Sequence, residues 1–246
     1  FDKTTRSMVS GLFLFGYVTV LLPVVLYTGS LALKGMFDLE YPIWIIAGTI
    51  GVLGSSYAIF GGLKSVAVSD TLNGVGLLIG GLAIPALALA KLGGGSFAEG
   101  ISILFNSKPE YLAVLTKTNV DNKVVSVPWP TLLTGMMFIQ VFYWSTNQVI
   151  VQRAMAAKSL AEGQKGVLFA SGMKLIGPIM LCLPGIIALH MTDVLNITKQ
   201  DQVYGAVVRH VLPDWSIGLF AAVLLGSILS SLNSARTSAS TLFSLQ

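Results

Sequence analysis

Four serines near the chain's end are the first residues whose spacing carries chemistry. Ser227, Ser230, Ser231 and Ser234 stand at offsets 0, 3, 4 and 7. In a helix that spacing puts four hydroxyls on one face. Serine oxygens and locally freed carbonyls are hard ligands of the kind Na⁺ prefers. The same pattern also reads as a small-residue packing face whose hydroxyls bond back to their own helix. Asp70, in Ser69-Asp70-Thr71, is a cation ligand, a step on an ion path or an N-cap. Lys174 either snorkels to a membrane surface or faces a wet cavity and donates hydrogen bonds to a polar solute. Arg236 reads as a residue that snorkels to the inner surface.

A second constellation is the run Gln140-Val141-Phe142-Tyr143-Trp144-Ser145-Thr146-Asn147-Gln148. Aromatic rings that stack on C–H faces, beside amides that pair with hydroxyls, suit a neutral polyol. Buried amides that join one helix to another are the alternative. No catalytic triad, phosphate loop or metal cluster is found, so the chain does not read as an enzyme. The 15 basic residues are scattered, with no run of the kind that binds nucleic acid. The single cysteine, Cys182, excludes an internal disulfide and reads as a small core residue in an apolar run.

The elements that hold these residues must lie in a membrane. Of 246 residues, 54% are hydrophobic and 11% charged, against about 25% charged in a soluble domain; the mean hydropathy is +0.78. Six apolar segments follow: Met8 to Leu33, Ile43 to Phe60, Val66 to Leu92, Trp129 to Val151, Val167 to Met191, and Trp215 to Leu245. Each is long enough to span a bilayer, and none alternates at period two as a barrel strand would. The expected class is therefore an all-α integral membrane protein of six transmembrane helices. Pro85, Pro178 and Pro184 are expected to kink their spans. Much of the glycine lies inside spans, where small residues let helices approach closely.

Short basic connections alternate with longer, more acidic ones. Lys3 and Arg6, the tight turn Gly61-Gly62-Leu63-Lys64, and the segment with Arg153, Lys158 and Lys165 share one side. By the positive-inside rule that side, with the Phe1 end, is cytoplasmic. Ser96 to Leu115 reads as an amphipathic helix on the outer face, and Asn196-Ile197-Thr198 is formally a glycosylation sequon there. The chain starts at Phe1 and stops at Gln246 directly after an apolar run, so it reads as an excerpt cut at both ends.

Three stretches resemble the sodium/solute symporter family, specifically its sodium/sugar cotransporters. The first is Tyr57-Ala58-Ile59-Phe60-Gly61-Gly62-Leu63 with Ser69-Asp70. The second is Tyr143-Trp144-Ser145-Thr146-Asn147-Gln148, continuing through Val151-Gln152-Arg153-Ala154-Met155-Ala156-Ala157-Lys158. The third is Ser230-Ser231-Leu232-Asn233-Ser234 on to Ser240-Thr241-Leu242-Phe243, with Lys174 and Leu183-Pro184-Gly185 lying between the last two. The resemblance implies a core of two inverted five-helix repeats, of which this chain is similar to helices three to eight. Residues 1–92 would then close the first repeat, 93–127 form the outer loop, and 128–246 open the second repeat.

The resemblance also implies roles. Ser230 and Ser231 match hydroxyl ligands of the main sodium site, and Ser227 matches a carbonyl donor there. Asp70 matches a carboxylate on the sodium exit path, which in some members joins two adjacent hydroxyl residues at a second site. Here those two positions are Asn233 and Ser234. Gln140 matches a polar sugar contact that is Asn or Thr in better-known sugar members. Tyr143 matches an aromatic that closes the sugar from the cytoplasm, Trp144 its neighbour, and Lys174 a lysine that hydrogen-bonds the sugar. Asn147 and Gln148 complete the candidate solute set. The implied activity is symport of Na⁺ with a small neutral solute, a sugar or polyol, by alternating access in the cell membrane. Rival expectations are an amino acid, sialic acid or carboxylate as solute, and a symporter-like sensor domain of a signalling protein.

Overall fold

The computed structural model describes residues 2–112, 128–195 and 200–244, without the side chains at 57, 58 and 61–67. They divide into two compact units, Phe1–Ala88 with Met191–Gln246, and Leu89–His190. The described residues hold helices and no strand, as the absence of period-two alternation requires.

In the first unit, α1 (Lys3–Gly16) passes through a π segment, Tyr17–Leu21, into α2 (Leu22–Phe37). Pro23 explains the π segment. It has no N–H, and its ring crowds the carbonyl four residues back. The backbone widens there, and the Leu22 N–H donates to the Tyr17 carbonyl. The span covers Lys3–Phe37 and exceeds the expected one at both ends. α2 stops at Asp38, which is left-handed at φ 52°.

α3 (Ile43–Leu92) carries the expected second and third spans as one helix, and its backbone is helical through 61–64, where a tight turn was expected. Its flanks pack against α11 (Asp214–Ser244). Ile46 and Ile50 pack with Ile228, and a Cβ on Gly54 would meet Leu229 and Leu232. Farther on, Asn73 meets Gly226, Gly76 meets Val223 and Gly80 meets Phe220. Gly54 and Asn73 would be about 28 Å apart on a straight helix, yet their partners Leu232 and Gly226 are about 9 Å apart along α11, so α3 does not run straight between them. Pro85 stays inside α3 without ending it.

At the C-terminal end of α2, α10 (Val203–Val211) packs so closely that a Cβ on Gly205 would fall 2.8 Å from the Gly35 backbone. Arg209 pairs there with Asp38 at 3.3 Å. Between the spans lies the short helix α9 (Thr192–Leu195), and the sequon at 196–198 lies outside the described residues.

The second unit holds α4 (Phe97–Ser107), capped by Ser96, whose hydroxyl accepts the Glu99 N–H. It is shorter than the amphipathic helix expected to Leu115; a 3₁₀ turn at Pro109–Leu112 follows, and residues 113–115 are not described. The expected span Trp129 to Val151 is not one helix. A 3₁₀ turn at Trp129–Leu132 precedes α5 (Gly135–Ser145), and α6 (Gln148–Met155) starts anew. α7 (Leu160–Leu181) and α8 (Leu183–Ala188) form the next span, Leu160–Ala188. Pro178 is tolerated inside α7, whereas the backbone restarts at Leu183 beside Pro184. Cys182, at that joint, is exposed on its unit rather than a core residue. Residues at a helix joint in an apolar run face outward as readily as inward, because lipid and core favour the same side chains.

Among the described residues four stretches are long and apolar enough to cross a membrane: Lys3–Phe37, Val68–Leu92, Leu160–Ala188 and Asp214–Ser244. Ile43–Ser56 is a shorter apolar helix. Five of the six expected spans thus have a helical counterpart, and the interrupted one holds the aromatic–amide run.

Candidate functional site

α5 brings Gln140, Tyr143 and Trp144 to one face by their i, i+3, i+4 spacing. The indole Nε1–H of Trp144 donates to Gln140 Oε1 at 3.2 Å. The Tyr143 and Trp144 rings meet edge to face, 5.6 Å between centroids and 82° between planes. Such a pair holds both rings in fixed orientation.

Lys174 reaches this pair from α7. Its Nζ lies 4.5 Å from the Trp144 ring centroid and 5.1 Å from that of Tyr143. Within about 6 Å of a ring face, a cation is attracted by the quadrupole. The side chain does not simply extend to a membrane surface. Its three N–H donors hold no hydrogen bond to a described residue, so a solute hydroxyl would meet an ammonium already held in place by two rings.

Just beyond, the helix breaks. The Phe142 carbonyl accepts from the N–H groups of Thr146 and Asn147 and from the Thr146 hydroxyl. Asn147 then caps α6, its Oδ1 accepting the Val149 N–H at 3.0 Å. A short polar side chain that can replace a helix partner is what makes a restart here affordable to the backbone. The Asn147 carbonyl is therefore committed to the cap. Gln148 opens α6 and is not hydrogen-bonded to the Gln140–Tyr143–Trp144 group. Of the six candidate solute residues, four form one contiguous group and two serve or follow the break.

In the other unit, α11 displays the serines at three degrees of burial. Ser231 is exposed, Ser227 and Ser230 are half-buried, and Ser234 is buried. The Ser234 hydroxyl donates to the Ser230 carbonyl at 2.9 Å, and Ser238 does the same to Ser234. Back-bonding, one of the two readings of the pattern, therefore applies to the buried serine. Asn233 is 3% exposed, and neither its Oδ1 nor its Nδ2 has a hydrogen-bond partner among the described residues. A buried carboxamide left so is costly. Arg236 does not snorkel: its Nη2 donates to the Gly51 carbonyl at 3.1 Å, from α11 to α3.

Asp70 is half-buried inside α3 and is not an N-cap, since α3 began at Ile43. One turn on, the Asn73 amide donates to Ser69 Oγ at 3.4 Å, and a Cβ on Gly226 would collide with that same amide. With Asn73 opposite Gly226 and Gly76 opposite Val223, the antiparallel register brings Asp70 level with Leu229, the neighbour of Ser230. Asn73 was absent from the sequence-derived set. Its signal was available: it lies three residues from Asp70, on the same helical face.

The model of the sodium:solute symporter family matches residues 1–246. The chain is 41% identical to the uncharacterized symporter YidK of Escherichia coli (strain K12), an alignment that takes in 100% of the chain and 43% of that protein. It is 29% identical to a sodium/glucose cotransporter of Vibrio parahaemolyticus, over 100% of the chain and 48% of the relative. With the sodium/myo-inositol cotransporter 2 of Mus musculus the identity is 28%, over 95% of the chain and 38% of the relative. The chain therefore spans less than half the length of these relatives. A match along its full length, together with its membrane-length helices, makes the chain a member of the sodium:solute symporter family.

Proposed function

We propose that the protein carrying this chain is a Na⁺-coupled symporter of a small neutral solute, a sugar or polyol, working by alternating access. The observation that carries the solute class is the Lys174 ammonium held over Tyr143 and Trp144, with Gln140 bonded to the indole. Rings offer stacking to C–H faces, and the ammonium and amide offer hydrogen bonds to hydroxyls. The sodium/glucose and sodium/myo-inositol relatives support the same class.

Ser230 and Ser231 are the proposed hydroxyl ligands of the main sodium site, with Ser227 offering its carbonyl. Asp70, level with the neighbour of Ser230, lies on the sodium path; with Asn233 and Ser234 it would form a second site. The unpartnered Asn233 carboxamide supports that set, because a carbonyl oxygen without a donor is a ready cation ligand. Inward movement of one Na⁺ gains about 2.3 kcal/mol per 100 mV. Sodium affinity and solute affinity are then linked by one coupling free energy. The short basic connections support a cytoplasmic Phe1 end.

The test is radiolabelled uptake by the full-length transporter in proteoliposomes, with sugars, polyols and amino acids offered with and without a sodium gradient. Sodium-dependent uptake of a sugar or polyol is expected. Uptake of an amino acid alone, or uptake indifferent to sodium, overturns the proposal.

A further inference from the structure

A groove of about 720 Å³ opens where α6 ends and α7 begins. Met155, Ala157, Leu160, Val167 and Leu168 give it an apolar lining, and Gly163 forms its floor. A Cβ on Gly163 would fall 3.1 Å from the Ala154 carbonyl, so the glycine is what lets the two helices close beneath the groove. Met155 and Leu160 are each 79% exposed at its lip. The groove belongs neither to the solute group nor to the hydroxyl face.

Two features single out one occupant. The groove lies along the first two turns of Leu160–Ala188, at one end of a stretch long and apolar enough to cross a membrane, and a span's ends are where acyl chains give way to headgroups. Next to these lining residues the chain carries Lys158 and Lys165, and one acid, Glu162, which pairs with Lys165 at 3.0 Å. An apolar channel the size of a small-molecule site, with two lysines next to its lining residues, complements an acyl chain joined to a negative headgroup.

We propose that this groove is a binding site for an anionic glycerophospholipid. One acyl chain lies along Leu160, Val167 and Leu168, and the phosphate sits between Lys158 and Lys165. A basic residue near the surface is worth about fivefold in preference for an anionic lipid.

The test uses the full-length transporter in vesicles of phosphatidylcholine with phosphatidylglycerol, carrying the photoreactive substitution Leu160→benzoylphenylalanine. Mass spectrometry identifies what the probe captures. Phosphatidylglycerol adducts at about five times its mole fraction are expected, falling toward the mole fraction in a Lys158→Gln, Lys165→Gln background. Adducts that simply follow the vesicle composition overturn the site, as does capture of a peptide of the transporter itself. If the first probe position does not yield folded protein, Met155→benzoylphenylalanine reports on the same lip.

Discussion

The solute group and the hydroxyl face are organised in opposite ways. Gln140, Tyr143, Trp144 and Lys174 hold one another through side chains: an indole hydrogen bond, an edge-to-face ring pair and a cation over both rings. The serines of α11 are arranged by their backbone, and the backbone is arranged by packing, with Gly54, Gly76, Gly80 and Gly226 as points of closest approach between α3 and α11. The lesson is that the first region carries its information in individual functional groups, and the second in the position of a helix. Substitutions should separate them accordingly.

The largest effect is expected where a side chain is forced into the helix seam. Gly226→Leu pushes against the Asn73 amide, and overpacking of this kind costs about 1–3 kcal/mol or more. A lower melting temperature and loss of folded transporter should follow, read by size-exclusion chromatography with fluorescence; unchanged melting would mean that packing does not set the hydroxyl face. Next comes Lys174→Ala, expected to weaken solute affinity about ten- to a hundredfold, as for loss of a charged hydrogen-bond donor. The sodium concentration for half-maximal uptake at saturating solute should stay put, and unchanged solute affinity would reduce Lys174 to a ring-packing residue.

Ser231→Ala is expected to raise the half-maximal sodium concentration about tenfold while leaving the fold intact, since Ser231 is exposed on its unit. Sodium titrations of uptake measure this, and an unaltered curve removes Ser231 from the ligand set. The smallest effect belongs to Trp144→Phe. It keeps a ring and removes only the N–H that Gln140 accepts, so solute affinity should drop about threefold. A drop as large as that of Lys174→Ala would show the group to be more tightly linked than its contacts indicate.

Hydropathy made the span positions legible because lipid exposure leaves a strong compositional trace. It could not reveal that Trp129 to Val151 is interrupted. Thr146 and Asn147 are compatible with a helix by polarity, and only the caps they form decide the break. The π segment before Pro23 escaped notice for a related reason: it is a local widening of the backbone with no compositional signature of its own. Cys182 and Arg236 were misplaced because sequence fixes a residue's depth along a span but not the direction it faces. The aromatic pair that receives Lys174 depends on how α5 and α7 pack, which neither helix's sequence states. Asn73 shows the converse. Its face was readable from Asp70, but its importance depended on Gly226 in a helix more than a hundred residues away.

The seam between α3 and α11 bears on how α11 is free to move. Two separate stretches of α3 hold it, one around Ile46–Gly54 and one around Asn73–Gly80. Axial sliding by one turn would lift Leu229 and Leu232 off Gly54 and drive Phe220 and Val223 past Gly80 and Gly76 at the same moment. Rolling about its own axis needs less disruption, because most of the contacts with the Asn73–Gly80 stretch set a glycine against one side chain. A roll changes the heading of Ser231 and leaves its depth fixed, so the hydroxyl would act as a dial at one level of the bilayer rather than as a piston.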